Sequence, residues 1–233
     1  MPHRSTGPGG ATTGGARVLG IDEAGRGSVL GPLVVGGFCC SADQLTALRA
    51  TGVRDSKRLT ARRREEVYSL LPSVGEGRSI ALAPRTIDRY VAHGGLNELE
   101  LEAFAMLVQR FRPDIAYVDA CDPDEERFGR RLSALAGDRV RVVSRHHADR
   151  DFPVVGAASV VAKVRRDAAI ENLRRSVGTP VGSGYPADPE TRRCVEQYVA
   201  GGGHVPGWMR RSWETVQRVK RARPARTLEG YER

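Results

Sequence analysis

Arg17-Val18-Leu19-Gly20-Ile21-Asp22-Glu23-Ala24-Gly25-Arg26-Gly27 starts as a buried strand and ends as an acidic turn. Residues 17–22 are predicted as a strand that ends at Glu23, because an unbroken apolar run suits a strand covered on both faces. Gly25 and Gly27 then permit a tight turn. Residues 30–40 read as a second strand. They follow too soon for a helical crossover, so the pair is predicted antiparallel. The hairpin delivers two acids, Asp22 and Glu23, to one end of a sheet.

Downstream, residues 60–71 read as a helix with Thr60 as N-cap, and 78–83 as a third strand. Residues 96–111 carry the clearest helical period. Asn97 and Glu100 are predicted to form a capping box, with Leu99, Ala103, Met106 and Leu107 on the buried face. A strand at 115–119, a helix at 124–135 and a strand at 140–144 follow. Pro153 is placed to start a long helix to about residue 174, and Asp188-Pro189 to start another to about 200. A last helix is predicted over 212–221. A hairpin followed by β-α-β units implies an α/β protein with a mixed five-stranded sheet flanked by helices.

The chain has 233 residues and a formal charge of +9, with only three lysines (Lys57, Lys163, Lys220) among its 37 basic residues. A basic balance of this size points to an anionic partner, most often nucleic acid. No apolar run approaches a membrane span. The four cysteines form no CxxC pair, which disfavours zinc and fits the reducing cytoplasm. Residues 1–16 are mostly Gly, Pro, Ser and Thr and are predicted to be a disordered tail. Residues 205–233 hold eight Arg or Lys against three Glu. They are expected to form a basic helical extension to a domain at 17–204. Arg210, Arg211, Arg218, Lys220, Arg221, Arg223 and Arg226 are candidate phosphate contacts there.

Three predicted strands lead into acids: Asp22 and Glu23, then Asp119, then Asp149 after a short loop. Carboxylates gathered at one sheet end repel one another unless cations join them. Oxygen ligands suit Mg²⁺ or Mn²⁺, and two such ions can serve phosphodiester hydrolysis. One obstacle is geometric. Neighbours on a regular strand face opposite ways, so Asp22 and Glu23 share a site only if the strand ends or bends there.

The order of motifs resembles the type 2 ribonucleases H, ribonuclease HII. Gly20-Ile21-Asp22-Glu23-Ala24-Gly25-Arg26-Gly27 is similar to the family's first block, and Asp55-Ser56-Lys57-Arg58-Leu59 to its second. Tyr117-Val118-Asp119-Ala120 is similar to the third. His147-Ala148-Asp149, with the run from Ala157 to Val164, is similar to the fourth, and Gly182-Ser183-Gly184-Tyr185-Pro186 to the fifth. Together they cover about residues 17–201. The blocks at 122–128, 151–155 and 211–216 resemble the archaeal branch.

The resemblance implies a ribonuclease H-like fold and an endoribonuclease acting on RNA/DNA hybrids and on ribonucleotides embedded in duplex DNA. Incision 5′ of the ribonucleotide would leave 3′-hydroxyl and 5′-phosphate ends. It implies Asp22, Glu23, Asp119 and Asp149 as catalytic metal ligands for two Mg²⁺ or Mn²⁺ ions, with Asp22 bridging them. Gly25, Arg26 and Gly27 would meet the 2′-hydroxyl through backbone, and Tyr185 would pack on the sugar at the junction. Ser56, Lys57, Ser159 and Lys163 are expected to contact substrate, whereas Asp167 reads as a structural partner. A monomer without membrane attachment is expected. Two alternatives are a ribonuclease HIII-like enzyme, disfavoured by the short N-terminal segment, and a non-catalytic hybrid-binding module, which has no use for four convergent acids.

Overall fold

The computed structural model describes residues 15–53, 59–137, 139–201 and 204–222. Its sheet contains β1 (Arg17–Ala24), β2 (Leu33–Ser41), β3 (Glu76–Leu82), β4 (Ile115–Asp119) and β5 (Arg141–Arg145) in the order β3-β2-β1-β4-β5. β1 lies at the centre, antiparallel to β2 and parallel to β4. β3 is antiparallel to β2, and β5 parallel to β4. The predicted hairpin and mixed five-stranded sheet are therefore borne out, with β2 starting three residues later than expected.

Helices cover both faces. The short α1 (Leu45–Ala50), α2 (Ala61–Leu70) and the long α7 (Pro153–Val177) pack on one face. α4 (Leu96–Phe111) and α5 (Glu125–Ala136) pack on the other, preceded by α3 (Pro84–Val91). β1 alternates between them: Val18 joins the α7 side, and Leu19 and Ile21 join Leu101 and Phe104 of α4. A one-turn helix α6 (Ala148–Asp151) precedes α7, while α8 (Pro189–Ala200) and α9 (Glu214–Arg221) follow it.

The helix starts follow their local chemistry. The Thr60 side chain accepts from the Arg63 N–H, and Asp124 and Asp188 cap α5 and α8 in the same way. Pro153 occupies the first turn of α7 as expected, and Gly178 ends that helix in the left-handed region. Two expectations for α4 fail. Its N-cap is Gly95, and Asn97 and Glu100 turn instead toward Arg26. Met106 is 57 % exposed, because the buried arc is centred on Phe104 and Phe111 and leaves Met106 just beyond its edge. The helices α1 and α3 were not anticipated.

α7 lies so close to the sheet that glycine is required beneath it. A Cβ on Gly20 would sit 2.1 Å from the Val154 carbonyl oxygen, and one on Gly36 2.4 Å from that of Ala158. Both obstacles are backbone, so neither rotates away. Gly20→Ala is expected to lower stability by about 3 kcal/mol, the upper part of the usual overpacking range. That corresponds to a fall in Tm of roughly 10 °C for a chain of this size. An unchanged Tm would mean that the α7–β1 contact is looser than described.

The C-terminal segment is not a surface arm over its described length. Val205, Met209 and Val216 are buried with Val29, Leu30 and Val195. Met209 also bridges to Leu30. Arg210, expected to face a phosphate, is 0 % exposed. Arg223 and Arg226 lie outside the described residues, as do residues 1–14 of the expected tail. No helix among the described residues is long and apolar enough to cross a membrane.

Candidate active site

β1 does not end at Glu23. It runs to Ala24, with Asp22 paired to Gly36 and Glu23 to Val35. The two acids therefore keep the strand alternation, whereas the sequence reading required the strand to end or bend at Glu23. Asp22 faces α7, where Ser159 hydrogen-bonds its carboxylate and Lys163 supplies positive charge. Glu23 faces α4 and feels the charges of Glu100 and Arg26. The acids still meet at the strand end. The Glu23 N–H donates to Asp22 Oδ1 at 2.8 Å, and Asp22 raises the pKa of Glu23.

The parallel strand β4 brings Asp119 to the same sheet end, where its charge acts on both Asp22 and Glu23. Its carboxylate is positioned from the turn after β5: the His147 N–H donates to Asp119 Oδ1 at 2.8 Å. To do so His147 takes a left-handed conformation (φ 59°), uncommon outside glycine. Asp149 follows two residues later on α6, 3 % exposed. His146, which could suggest zinc, instead sets its ring against the Pro123 carbonyl at 3.3 Å.

Burial, reinforced by Asp119, raises the Asp22 pKa to about 6. Burial and the carboxylates of Asp22, Glu100 and Asp119 push Glu23 well up. Burial takes Glu100 to about 7 against the opposing pull of Arg26, and raises the Cys121 thiol. Glu23 Oε2 is buried with no hydrogen-bond partner among the described residues. An orphaned carboxylate oxygen among repelling acids fits a hard divalent cation. No three described Asp, Glu, His or Cys side chains are grouped closely enough to chelate one ion by themselves. Mg²⁺ tolerates this, because it is usually held by one or two carboxylates, waters and substrate phosphates.

The sign of the Asp22 shift gives a test. Its folded pKa lies above the ordinary 3.8, so the metal-free fold loses stability as pH rises through about 4 to 6. A cation that binds the ionised form offsets that loss. Mg²⁺ is therefore expected to raise the Tm of chelator-treated protein more at pH 8 than at pH 5. Equal rises would dissociate the ion from these carboxylates.

The loop after β1 forms a second wall. Gly25 has φ 86°, and a Cβ there would press on the Pro32 carbonyl oxygen at 3.0 Å. Arg26 reaches back to Glu100 and donates to Asn97 Oδ1 at 2.6 Å. Beyond it, an open hollow of about 590 Å³ is lined by Glu23, Arg26, Cys121 and His146. Beneath the loop lies Arg210, whose guanidinium donates to the carbonyls of Gly25 (2.7 Å), Arg26 (2.8 Å) and Gly31 (3.2 Å) while lying over the Trp213 ring. No peptide bond here is cis. In a trans peptide the C=O and the following N–H point opposite ways. The N–H groups of Arg26 and Gly27 are consequently aimed away from Arg210, and Gly27 is exposed.

Tyr185 is half-buried, with the Arg166 guanidinium 4.5 Å from its ring centroid. Arg166 donates to Ser28 Oγ at 3.1 Å and to the Ser183 carbonyl, tying this loop to the one after β1. Sequence reading missed Arg166 and gave Arg210 a phosphate instead of these carbonyls, since nothing in their spacing separates them from the many on the surface. Ser159, expected at a phosphate, is fully buried against Asp22. Asp167 pairs with Arg64, in keeping with a structural part. Ser56 and Lys57 lie outside the described residues.

The family profile for ribonuclease HII matches residues 19–216. The match runs past residue 201 and takes in Arg210. Ribonuclease HII of Methanocella arvoryzae is 42 % identical over 203 residues, covering 87 % of this chain and 91 % of that protein. The solved ribonuclease H2 of Pyrococcus horikoshii OT3 aligns with a TM-score of 0.82 and 39 % identity over 88 % of this chain and 97 % of that one. Bst-RNase HIII, solved in complex with Mn²⁺, shares the fold (TM-score 0.74) at 19 % identity, over 89 % of this chain and 70 % of that one. With its profile match, its archaeal relatives and its structural alignment in agreement, the chain belongs to the ribonuclease HII family.

Proposed function

We propose that the chain is a metal-dependent endoribonuclease that cleaves the RNA strand of RNA/DNA hybrids and nicks duplex DNA 5′ of an embedded ribonucleotide. The observation that carries this reading is the juxtaposition of the carboxylate cluster with the outward amides of Arg26 and Gly27. One wall can hold cations at a phosphodiester. The other presents backbone donors close enough to sense a 2′-hydroxyl, which is what separates RNA from DNA.

Asp22, Glu23, Asp119 and Asp149 are the residues that would hold Mg²⁺ or Mn²⁺. Bound there, the ions would supply an activated water and charge stabilisation of the departing 3′ oxygen. Ser159 and Lys163 keep Asp22 oriented and partly compensated. Arg26, anchored on Glu100 and Asn97, fixes the loop so that its amides need not reorganise when a sugar arrives. Tyr185 offers a flat apolar face at the edge of the same site. A purely binding module would gain nothing from buried, mutually repelling acids. The 42 % identity to a ribonuclease HII over most of both chains supports the ribonuclease HII reading over the HIII-like one.

The test is a duplex carrying one ribonucleotide, incubated with Mg²⁺, Mn²⁺ or chelator. A single nick 5′ of the ribonucleotide with either ion, none with chelator and none on all-DNA duplex is the expected pattern. Binding without any ion-dependent nicking would replace the enzyme with a binding module. Tyr185→Ala is expected to cost about tenfold or more at the isolated ribonucleotide, the scale of one lost stacking contact. The loss on a long hybrid should be smaller, and equal losses would remove Tyr185 from junction recognition.

A further inference from the structure

β1 and β3 are both antiparallel to β2, so they run the same way and finish at the same end of the sheet. α3 follows β3 directly, which puts Arg85 at the end of the sheet that bears the carboxylates. There a separate hollow of about 390 Å³ is lined by Arg85, Asp88, His204 and Arg211. Arg211 is the next residue after Arg210. One guanidinium goes inward to Gly25 and the other outward to this hollow.

The chemistry of the hollow is that of an anion site. Arg211 donates to the Val205 carbonyl at 2.9 Å and lies 2.8 Å from His204 Nε2. A guanidinium only donates, so in this contact Nε2 is the acceptor. The one acid, Asp88, is already occupied by the N–H groups of Arg211 (3.0 Å) and Ser212 (2.9 Å) and by the Ser212 hydroxyl (2.6 Å). Arg85 lies against Gly207, where a Cβ would come within 3.3 Å of its Nε. Among the described residues neither arginine forms an ion pair with a carboxylate side chain. Other exposed arginines among the described residues do, for example Arg62, Arg130 and Arg175.

We propose that this hollow takes a backbone phosphate of the duplex, away from the scissile one, as a sequence-independent contact. The proposal rests on the reading of the chain as a duplex-directed nuclease. It takes Arg211 from the basic extension expected from the sequence and adds Arg85, so two residues are brought together from distant parts of the chain.

The experiment uses the full chain in chelator with two ligands, an RNA/DNA hybrid and an all-DNA duplex, titrated over a range of salt. Arg85→Glu should weaken binding to both by about tenfold at low salt. It should also flatten the dependence of log K on log salt by about one, the value for one phosphate contact. Arg85→Ala should show the same change in slope with a smaller loss of affinity. Nicking at saturating substrate with Mg²⁺ should stay at the wild-type rate. Wild-type affinity and slope in Arg85→Glu would overturn the proposal. So would an equal loss in Arg130→Glu on α5, because bulk charge would then explain it. If the wild-type chain nicks the ribonucleotide duplex and Arg85→Glu still binds normally, only the phosphate site fails. If the wild-type chain neither binds nor nicks, the nuclease reading fails with it.

Discussion

Asp119→Asn is expected to reduce Mg²⁺-dependent cleavage of a ribonucleotide-containing duplex by well over about a hundredfold. Loss of a partner that merely orients a metal ligand already costs 10–100-fold, and this change removes a proposed ligand itself. The fold should survive. The amide keeps an oxygen in place of Oδ1, so the His147 N–H retains its acceptor. Removing the charge also relieves Asp22 and Glu23, whose pKa values Asp119 helps to raise. Without metal at pH 8 the variant should therefore melt no lower than the wild-type chain, and its affinity for hybrid in chelator should not fall, since phosphate contacts lie elsewhere. Single-turnover rates with Mg²⁺, together with melting curves in chelator, decide the matter. Turnover within tenfold of wild type would take Asp119 out of the mechanism.

The acids were legible in the sequence because each follows an apolar strand, and strands of one sheet finish where topology puts them. β1 and β4 needed no tertiary information to be read: Val18, Leu19, Ile21, Ala116 and Val118 are buried as their pattern requires. Local polar chemistry was equally readable, as the caps Thr60 and Asp188 show. What failed were inferences in which a polar side chain had a distant partner. Asn97 and Glu100 have the spacing of a capping box, yet a partner 70-odd residues away outcompetes the local backbone for both. The strand was expected to end or bend at Glu23 because regular alternation puts neighbouring acids on opposite faces. The sheet instead keeps its pairing, and the site straddles the strand end. Arg210 was grouped with a basic extension from the charge surplus of residues 205–233, although arginine can be buried when it has partners. Its partners are three backbone carbonyls, which composition cannot reveal.

Arg210→Lys is the corresponding test of the loop after β1. Burial, with the nearby charge of Arg166, lowers the Arg210 pKa to about 10, so it stays charged at neutral pH. Its planar fork serves three carbonyls at once and stacks on Trp213. A lysine ammonium is a compact charge without that plane and cannot span the same three acceptors. At least one buried carbonyl is left unsatisfied, at about 1–3 kcal/mol. The peptide planes of Gly25 and Arg26 are then free to rotate, and the N–H groups of Arg26 and Gly27 lose their fixed aim. A displacement of about 1 Å at a positioning group can cost 10²-fold in rate. The expected result is therefore a kcat on the single-ribonucleotide duplex lower by about a hundredfold. KM should be little changed, because duplex affinity comes chiefly from phosphate contacts. A change of stability alone would lower the active fraction and be reversed by cooling the assay below the melting range. Misaimed amides would keep kcat low in fully folded protein. A folded Arg210→Lys enzyme with kcat within threefold of wild type would show that the loop holds its amides without the guanidinium beneath it.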